Sequence, residues 1–76
     1  MQIELKLMGA LKYKLKDVTS PLELEHGTSI SQLLIQLGLT SGHVQVVLVN
    51  EEMEPNRERA LSDKDVVTFF PPLAGG

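Results

Sequence analysis

The chain has 76 residues and a formal net charge of −3, with 42% hydrophobic and 22% charged residues. A chain of this length forms one compact domain, and an acidic balance without a basic stripe argues against nucleic acid as a partner. The absence of cysteine excludes disulfides, thiolate metal sites and a cysteine nucleophile.

The first seven residues alternate polar and apolar side chains instead of forming an apolar block. Such a stretch is neither a signal peptide nor a membrane span, so we expect a cytoplasmic protein with no membrane partner. The period of two, carried by Ile3, Leu5 and Leu7, predicts a strand.

The segment after this strand, residues 9–20, carries alternate lysines and fits either a second hairpin arm or a surface loop. Residues 22–25 then repeat the polar–apolar alternation and stop at the turn residues His26 and Gly27. A second, short strand is therefore predicted there.

One helix is predicted next. Ser29 followed by Gln32 fits a capping box, and Gly38 lies where a helix C-terminal cap belongs. The apolar residues between them recur at helical spacing: Ile30, Leu33, Leu34 and Leu37.

Strands dominate the remainder of the chain. Residues 44–49 are short and rich in valine, which predicts a buried strand that ends at Asn50. A solvated turn and a short strand follow, and residues 66–70 form the last strand, which Pro71 and Pro72 terminate. This order predicts an α+β roll of the β-grasp (ubiquitin-like) type, with a mixed four- to five-stranded sheet and one main helix.

The predicted domain covers residues 1–70, and residues 71–76 form a C-terminal tail. Two prolines direct the tail away from the sheet, and Gly75 and Gly76 carry no side chains to bury. Because glycine loses the most conformational freedom on ordering, we expect the tail to be flexible until a partner orders it.

The last eight residues, Phe-Phe-Pro-Pro-Leu-Ala-Gly-Gly, resemble the ending of the small subunit of molybdopterin synthase, in the MoaD/ThiS family of ubiquitin-related sulfur carriers. Residues 49–51 and 61–66 resemble two turns of the same family. Two departures stand out: Lys64 replaces the glycine that is usual in the second turn, and the short connection between the helix and residue 44 is closer to the thiamine-pathway carriers.

The resemblance implies a carrier that is not an enzyme on its own but a co-substrate or small subunit of a sulfurtransferase. Its C-terminal glycine, Gly76, would be adenylated with ATP by an E1-like adenylating enzyme, converted to a thiocarboxylate, and used by a large catalytic subunit. Gly75 would give the carboxyl group access to the catalytic site. ATP belongs to the activating enzyme, and we expect no bound cofactor. The alternatives are a carrier for thiamine thiazole or another sulfur pathway, a ubiquitin-like protein modifier, and a plain interaction domain.

A hydrophobic docking patch is predicted beside the tail. The family pattern turns Val67 and Phe69 toward the core, which leaves Phe70 on the outer face of the last strand. Met8 and Met53 complete this patch, the latter at a family position that contacts partners. The tail residues expected to bind partners are Pro71, Pro72, Leu73 and Ala74.

We predict no metal site. His26 and His43 lie in predicted turns without other ligands at a suitable spacing, and neighbouring carboxylates near Glu52 are expected to be hydrated. Arg57 and Arg59 are expected to be solvated surface charges.

Overall fold

A five-stranded mixed sheet and one main helix make up the computed structural model, which describes residues 1–18 and 20–72. In chain order the elements are β1 (Gln2–Leu7), α1 (Leu11–Lys14), β2 (Leu22–Glu23), α2 (Ile30–Gln36), a 3-10 helix (Ser41–His43), β3 (Val46–Val49), β4 (Glu52–Met53) and β5 (Val66–Phe70). None of the helices among the described residues is long and apolar enough to cross a bilayer.

The sheet has the strand order β2-β1-β5-β3-β4. Its central strands β1 and β5 are parallel, and Glu4 pairs with Val66 at one end of their register. The other neighbouring strands pair antiparallel. The predicted α+β roll with a mixed sheet and one main helix is therefore confirmed.

The core lies between α2 and one face of the sheet. Alternation along β5 buries Val67 and Phe69 completely, as predicted. Burial of a large apolar side chain contributes about 1.5–3 kcal/mol, so these two residues anchor the strand. The inner face of the sheet also contributes Ile3, Leu5, Val47 and Val49, and α2 contributes Ile30, Leu33 and Leu34.

Helix α2 begins and ends as its sequence predicts. The backbone N–H of Gln32 donates to Ser29 Oγ over 3.1 Å, and the Gln32 side chain accepts from the Ser29 N–H over 2.9 Å. Gly38 adopts φ +76°, and its N–H donates to the carbonyl of Ile35. The predicted capping box and C-terminal cap are both confirmed.

Residues 9–18 differ from both expected forms. The segment forms the one-turn helix α1 because the N–H groups of Leu11 and Lys12 bond back to the carbonyls of Met8 and Gly9. Leu11, only 2% exposed, anchors the turn in the core. The local structure thus depends on the burial of Leu11. The alternating lysines, on which the sequence prediction rested, give no information about this burial.

Arg57 is not the solvated surface charge that was expected. It is half-buried, and its guanidinium donates to the carbonyls of Ser41 and Val44 over 3.1 and 2.6 Å. Both carbonyls precede β3; that of Ser41 also accepts from the Val44 N–H, and the arginine supplies a donor to that of Val44. β3 accordingly begins at Val46, two residues later than predicted.

The first residue is tied to β2. Its ammonium group lies 3.0 Å from Glu23 Oε2. This hydrogen bond, together with one from the Gln2 side chain, lowers the pKa of the exposed Glu23 carboxyl. A lowered pKa makes the contact stabilising above the ordinary carboxyl pKa, and its contribution disappears as the pH falls through the lowered value.

Asn50 and Asp65 join the two family-like turns into one hydrogen-bonded unit. Asn50 Nδ2 donates to Asp65 Oδ1 over 3.0 Å, while the Val66 N–H donates to Asn50 Oδ1 over 2.9 Å. The other oxygen of Asp65, which is buried, accepts from the Ser62 N–H. The unit therefore fixes the point at which β5 begins.

We predict that Asp65→Ala lowers the free energy of unfolding by about 1–3 kcal/mol, because two donors lose their acceptor in a buried place. Urea denaturation measures the change. The control Asp17→Ala, at an exposed position, should stay within about 0.5 kcal/mol of the original chain. Equal effects of the two substitutions would contradict this role for Asp65.

Lys64 occupies a backbone conformation that favours glycine. Its φ is +70°, and its N–H donates to the carbonyl of Gln2 over 2.6 Å. A Cβ is strained in this left-handed region, whereas glycine is not, which accounts for the glycine that the sequence resemblance leads one to expect at this turn.

Replacing Lys64 with glycine should raise the free energy of unfolding by about 1 kcal/mol through relief of this strain. The measurement is the midpoint of urea unfolding at constant m-value. Lys64→Ala keeps the Cβ and removes the charge, so it should give no comparable gain. If Lys64→Ala raised the free energy of unfolding as much as Lys64→Gly, the effect would come from removal of the charge and not from relief of strain.

Candidate functional site

The root of the tail lies at the end of the central strand. The carbonyl of Phe69 accepts from Met8 and that of Phe70 accepts from Gln45. β5 is thus paired with β1 up to Phe69 and with β3 up to its last residue, Phe70. Pro71 has no N–H to continue the ladder, and the strand stops as predicted.

Pro71 is half-buried and Pro72 is exposed. The predicted acyl site Gly76, the access residue Gly75, and the predicted tail contacts Leu73 and Ala74 lie outside the described residues. Their roles, and the division between residues 1–70 and 71–76, stay predictions.

An apolar groove of about 480 Å³ lies on the outer face of the sheet beside this root. Val46 pairs with Phe70 and Leu48 with Met53, so side chains from three strands meet on one face. Met53 is 71% exposed, while Phe70 is half-buried. The groove is lined by Gln45, Val46, Leu48, Met53, Phe70 and Pro71.

Three of the predicted contact residues therefore meet here: Phe70, Met53 and Pro71. Met8 does not line the groove. Because Leu7 pairs with Phe69, the next register position places Met8 beside Phe70, on the side away from β3. Met8 is 37% exposed and extends the apolar surface beyond the groove.

Val46 and Leu48 were missed as site residues, because a run of apolar residues predicts a strand buried on both faces. Only Val47 and Val49 are buried, and the other two are half-buried on the outer face. The period of two within the strand was the signal that could have distinguished the outer residues, Val46 and Leu48, from the buried ones. Contiguous apolar side chains are rarely exposed on a sheet face, and such a patch commonly marks an interaction site. The groove is therefore suited to bind an apolar surface.

The two ends of the sheet carry exposed charges of opposite sign. The tail end of the sheet leads into α1, where Lys12 and Lys14 are exposed. At the opposite end of β3, the turn carries exposed Glu51 and Glu52. Such a separation of charge orients an approaching partner more than it adds affinity.

The histidines and carboxylates of residues 1–18 and 20–72 do not form a group of three that could hold a metal ion. His43 instead accepts from the backbone N–H of Thr40 through Nδ1, over 3.0 Å. The groove itself contributes apolar side chains and one amide, Gln45, so it can bind but offers no acid, base or nucleophile among its described lining residues.

The ThiS family model matches residues 5–76 of the chain. Three solved structures share the fold at 22% sequence identity. SAMP1 from Haloferax volcanii has a TM-score of 0.76, with 100% of both chains covered. A putative molybdopterin converting factor, subunit 1, from Pyrococcus furiosus has a TM-score of 0.73, with 96% of this chain and 99% of that chain covered.

The third structure is a complex of subunits 1 and 2 of the molybdopterin-converting factor from Helicobacter pylori 26695, with a TM-score of 0.64 and 100% of both chains covered. Comparison with curated protein sequences gave no significant match. The structural likeness confirms the predicted β-grasp roll.

We predict that Met53→Lys weakens binding to a partner protein about tenfold, because it places a charge in the middle of the groove. The free energy of unfolding of this variant should differ from that of the original chain by less than about 0.5 kcal/mol, since the Met53 side chain is exposed. Isothermal titration calorimetry measures the affinity, with either of the partners that the sequence resemblance implies, an E1-like adenylating enzyme or a large catalytic subunit.

Ile35→Lys is the matched control. Ile35 is 74% exposed on α2, which packs against the other face of the sheet. The control should bind like the original chain. An equal loss in both variants would show that added charge, and not the groove, weakens the complex.

Proposed function

This chain belongs to the ThiS family, and we propose that it is a sulfur carrier in molybdopterin (molybdenum or tungsten cofactor) biosynthesis, adenylated at Gly76 and converted to a thiocarboxylate. The observation that carries the proposal is the extent of the family match, which continues through the strand β5 and the tail to Gly76. The glycine pair therefore belongs to the region that the family shares.

Activation is needed because an α-carboxylate is ionised at neutral pH and resists nucleophilic attack. In the proposed reaction an oxygen of the Gly76 carboxylate attacks the α-phosphorus of ATP, and pyrophosphate leaves. Sulfide supplied by a partner then attacks the acyl carbon: the C–S bond forms, the C–O bond to AMP breaks, and loss of the sulfur-bound proton leaves the thiocarboxylate. Glycine at both final positions lets the carbonyl approach the nucleotide and the sulfur without a Cβ clash.

The body of the protein supplies recognition in this proposal. The groove bordered by Phe70 and Met53 is continuous with the root of the tail at Pro71. One partner can thus hold the groove while its catalytic site receives the tail. The Helicobacter pylori structure, a complex of subunit 1 with subunit 2, supports a large catalytic subunit as one such partner. An E1-like adenylating enzyme is the other.

A carrier for thiamine thiazole is the second candidate. It is favoured by the short connection between α2 and β3, residues 37–45, which holds only a 3-10 helix at Ser41–His43. The chemistry at Gly76 is the same in both pathways, and the candidates differ only in the enzyme that accepts the sulfur. In either case the chain is a co-substrate and not an enzyme on its own.

The test is ATP–pyrophosphate exchange by the E1-like adenylating enzyme of the same organism, followed by intact mass spectrometry. We expect the original chain to support exchange and to gain one sulfur in place of one terminal oxygen. Removal of Gly75 and Gly76 should abolish exchange, and Gly76→Ala should lower it about 100-fold, because misplacement of about 1 Å at the reacting carbon costs a factor of this order.

Gly42→Ala is the matched control for the glycine substitution. The nearest described atom to an added Cβ at Gly42 is Thr40 Oγ1, at an ordinary contact distance of 3.8 Å. This variant should support exchange like the original chain. Full activity of the chain that lacks its last two residues would refute the proposal.

Two further measurements separate the alternatives. Capture of partners from the native organism, with the thiocarboxylate form as bait, identifies either a molybdopterin synthase large subunit or a thiazole-forming enzyme. Conjugates on a denaturing gel that disappear when Gly76 is deleted would instead identify a protein modifier.

A further inference from the structure

Gly9 lies next to Pro71 at the root of the tail. A Cβ added to this glycine would lie 3.0 Å from Cγ and 3.5 Å from Cδ of the Pro71 ring. The ordinary separation of two carbon atoms in contact is about 3.5–4.0 Å, so a side chain at Gly9 would require the Pro71 ring or the Gly9 turn to shift by a few tenths of an ångström.

The backbone around Gly9 holds this contact in place. Leu7 is the last residue of the β1–β5 ladder. The N–H of the next residue, Met8, donates to the carbonyl of Phe69 over 3.1 Å. The carbonyl of Gly9 accepts from the N–H of Lys12 in α1, and Gly9 has φ +56°. Gly9 is thus fixed between a central strand and a helix, and it offers a rigid surface to Pro71.

Pro71, the first residue of the predicted tail, packs against the rest of the protein. Its ring is half-buried and forms part of the groove, whereas Pro72 is exposed. The place where the chain leaves the body is therefore set at Pro71, next to the groove wall formed by Phe70. A partner that holds the groove receives the tail root at one defined position.

We propose that Gly9 is a positioning residue for the acyl end of the chain: its missing side chain lets Pro71 pack on the turn after β1, and this contact aims the tail into a partner bound at the groove. The proposal rests on the carrier function proposed above. It assigns a function to a glycine that lies at the opposite end of the sequence from Gly76. Loss of the contact should slow the chemical step and leave docking through the groove largely unchanged.

Gly27 serves as the control position, because it is a turn glycine without a contact to Pro71. It also has positive φ, +87°, but an added Cβ would meet no atom of the described residues within 4 Å. Gly27 follows β2, at the end of the sheet where β1 begins, whereas Gly9 follows the end of β1. Gly27→Ala therefore introduces backbone strain without a contact to the tail.

The experiment is steady-state ATP–pyrophosphate exchange with the E1-like adenylating enzyme, at a temperature where circular dichroism shows each variant folded. Relative to Gly27→Ala, we expect Gly9→Ala to lower kcat about tenfold, with KM changed less than about threefold, because the acyl carbon is misplaced while the body still docks. The proposal would be overturned if Gly9→Ala raised KM alone, or if its kcat equalled that of Gly27→Ala.

Pro71→Ala completes a double-mutant cycle and does not depend on the stability of the Gly9 variant. It removes the ring atoms, so it should lower kcat by itself, and adding Gly9→Ala should then change kcat by less than about twofold. If Gly9→Ala costs as much in the Pro71→Ala background as in the original chain, the two residues do not act through their contact and the proposal fails.

The cycle also distinguishes this proposal from the carrier function. An original chain that supports no exchange refutes the carrier function, and the role of Gly9 falls with it. An active original chain with additive Gly9 and Pro71 substitutions refutes the positioning role alone.

Discussion

The pairing of β5 on both of its edges is the constraint on which the rest of the structure depends. The strand is parallel to β1 and antiparallel to β3, and its inward side chains Val67 and Phe69 are fully buried. A strand held in this way cannot shift by one residue, because the slip would turn both core residues to the outer face. The last residue of the strand, and with it the root of the tail, therefore has one position.

The two ends of β5 serve different purposes. At its start, Asn50 and Asp65 tie two turns together through side-chain hydrogen bonds and set the register. At its end, Pro71 interrupts the ladder and packs on Gly9 beside the groove. The side-chain hydrogen bonds between the two turns thus lie at the opposite end of β5 from the apolar groove.

Local sequence signals predicted the elements whose stability is local. The capping box of α2, its apolar spacing and its glycine cap act within one turn of helix, so they could be recognised without the rest of the chain. At Lys64 the departure from the family's glycine left open whether the turn keeps a positive φ or differs, and the structure gives φ +70°. Long-range packing was not visible in this way. Arg57 satisfies carbonyls that are distant in sequence, and Leu11 forms α1 by burial in a core assembled from other segments.

By itself the sequence determined the fold class, the limits of α2 and β5, and the resemblance of the tail to the sulfur carriers, because each depends on a short pattern or on a contiguous motif. Only the tertiary structure decided that Val46, Leu48, Met53 and Phe70 share one groove, and that Gly9 lies against Pro71. The physical reason is that strand pairing brings together residues that are far apart along the chain, and no periodicity within one strand specifies its neighbour in the sheet.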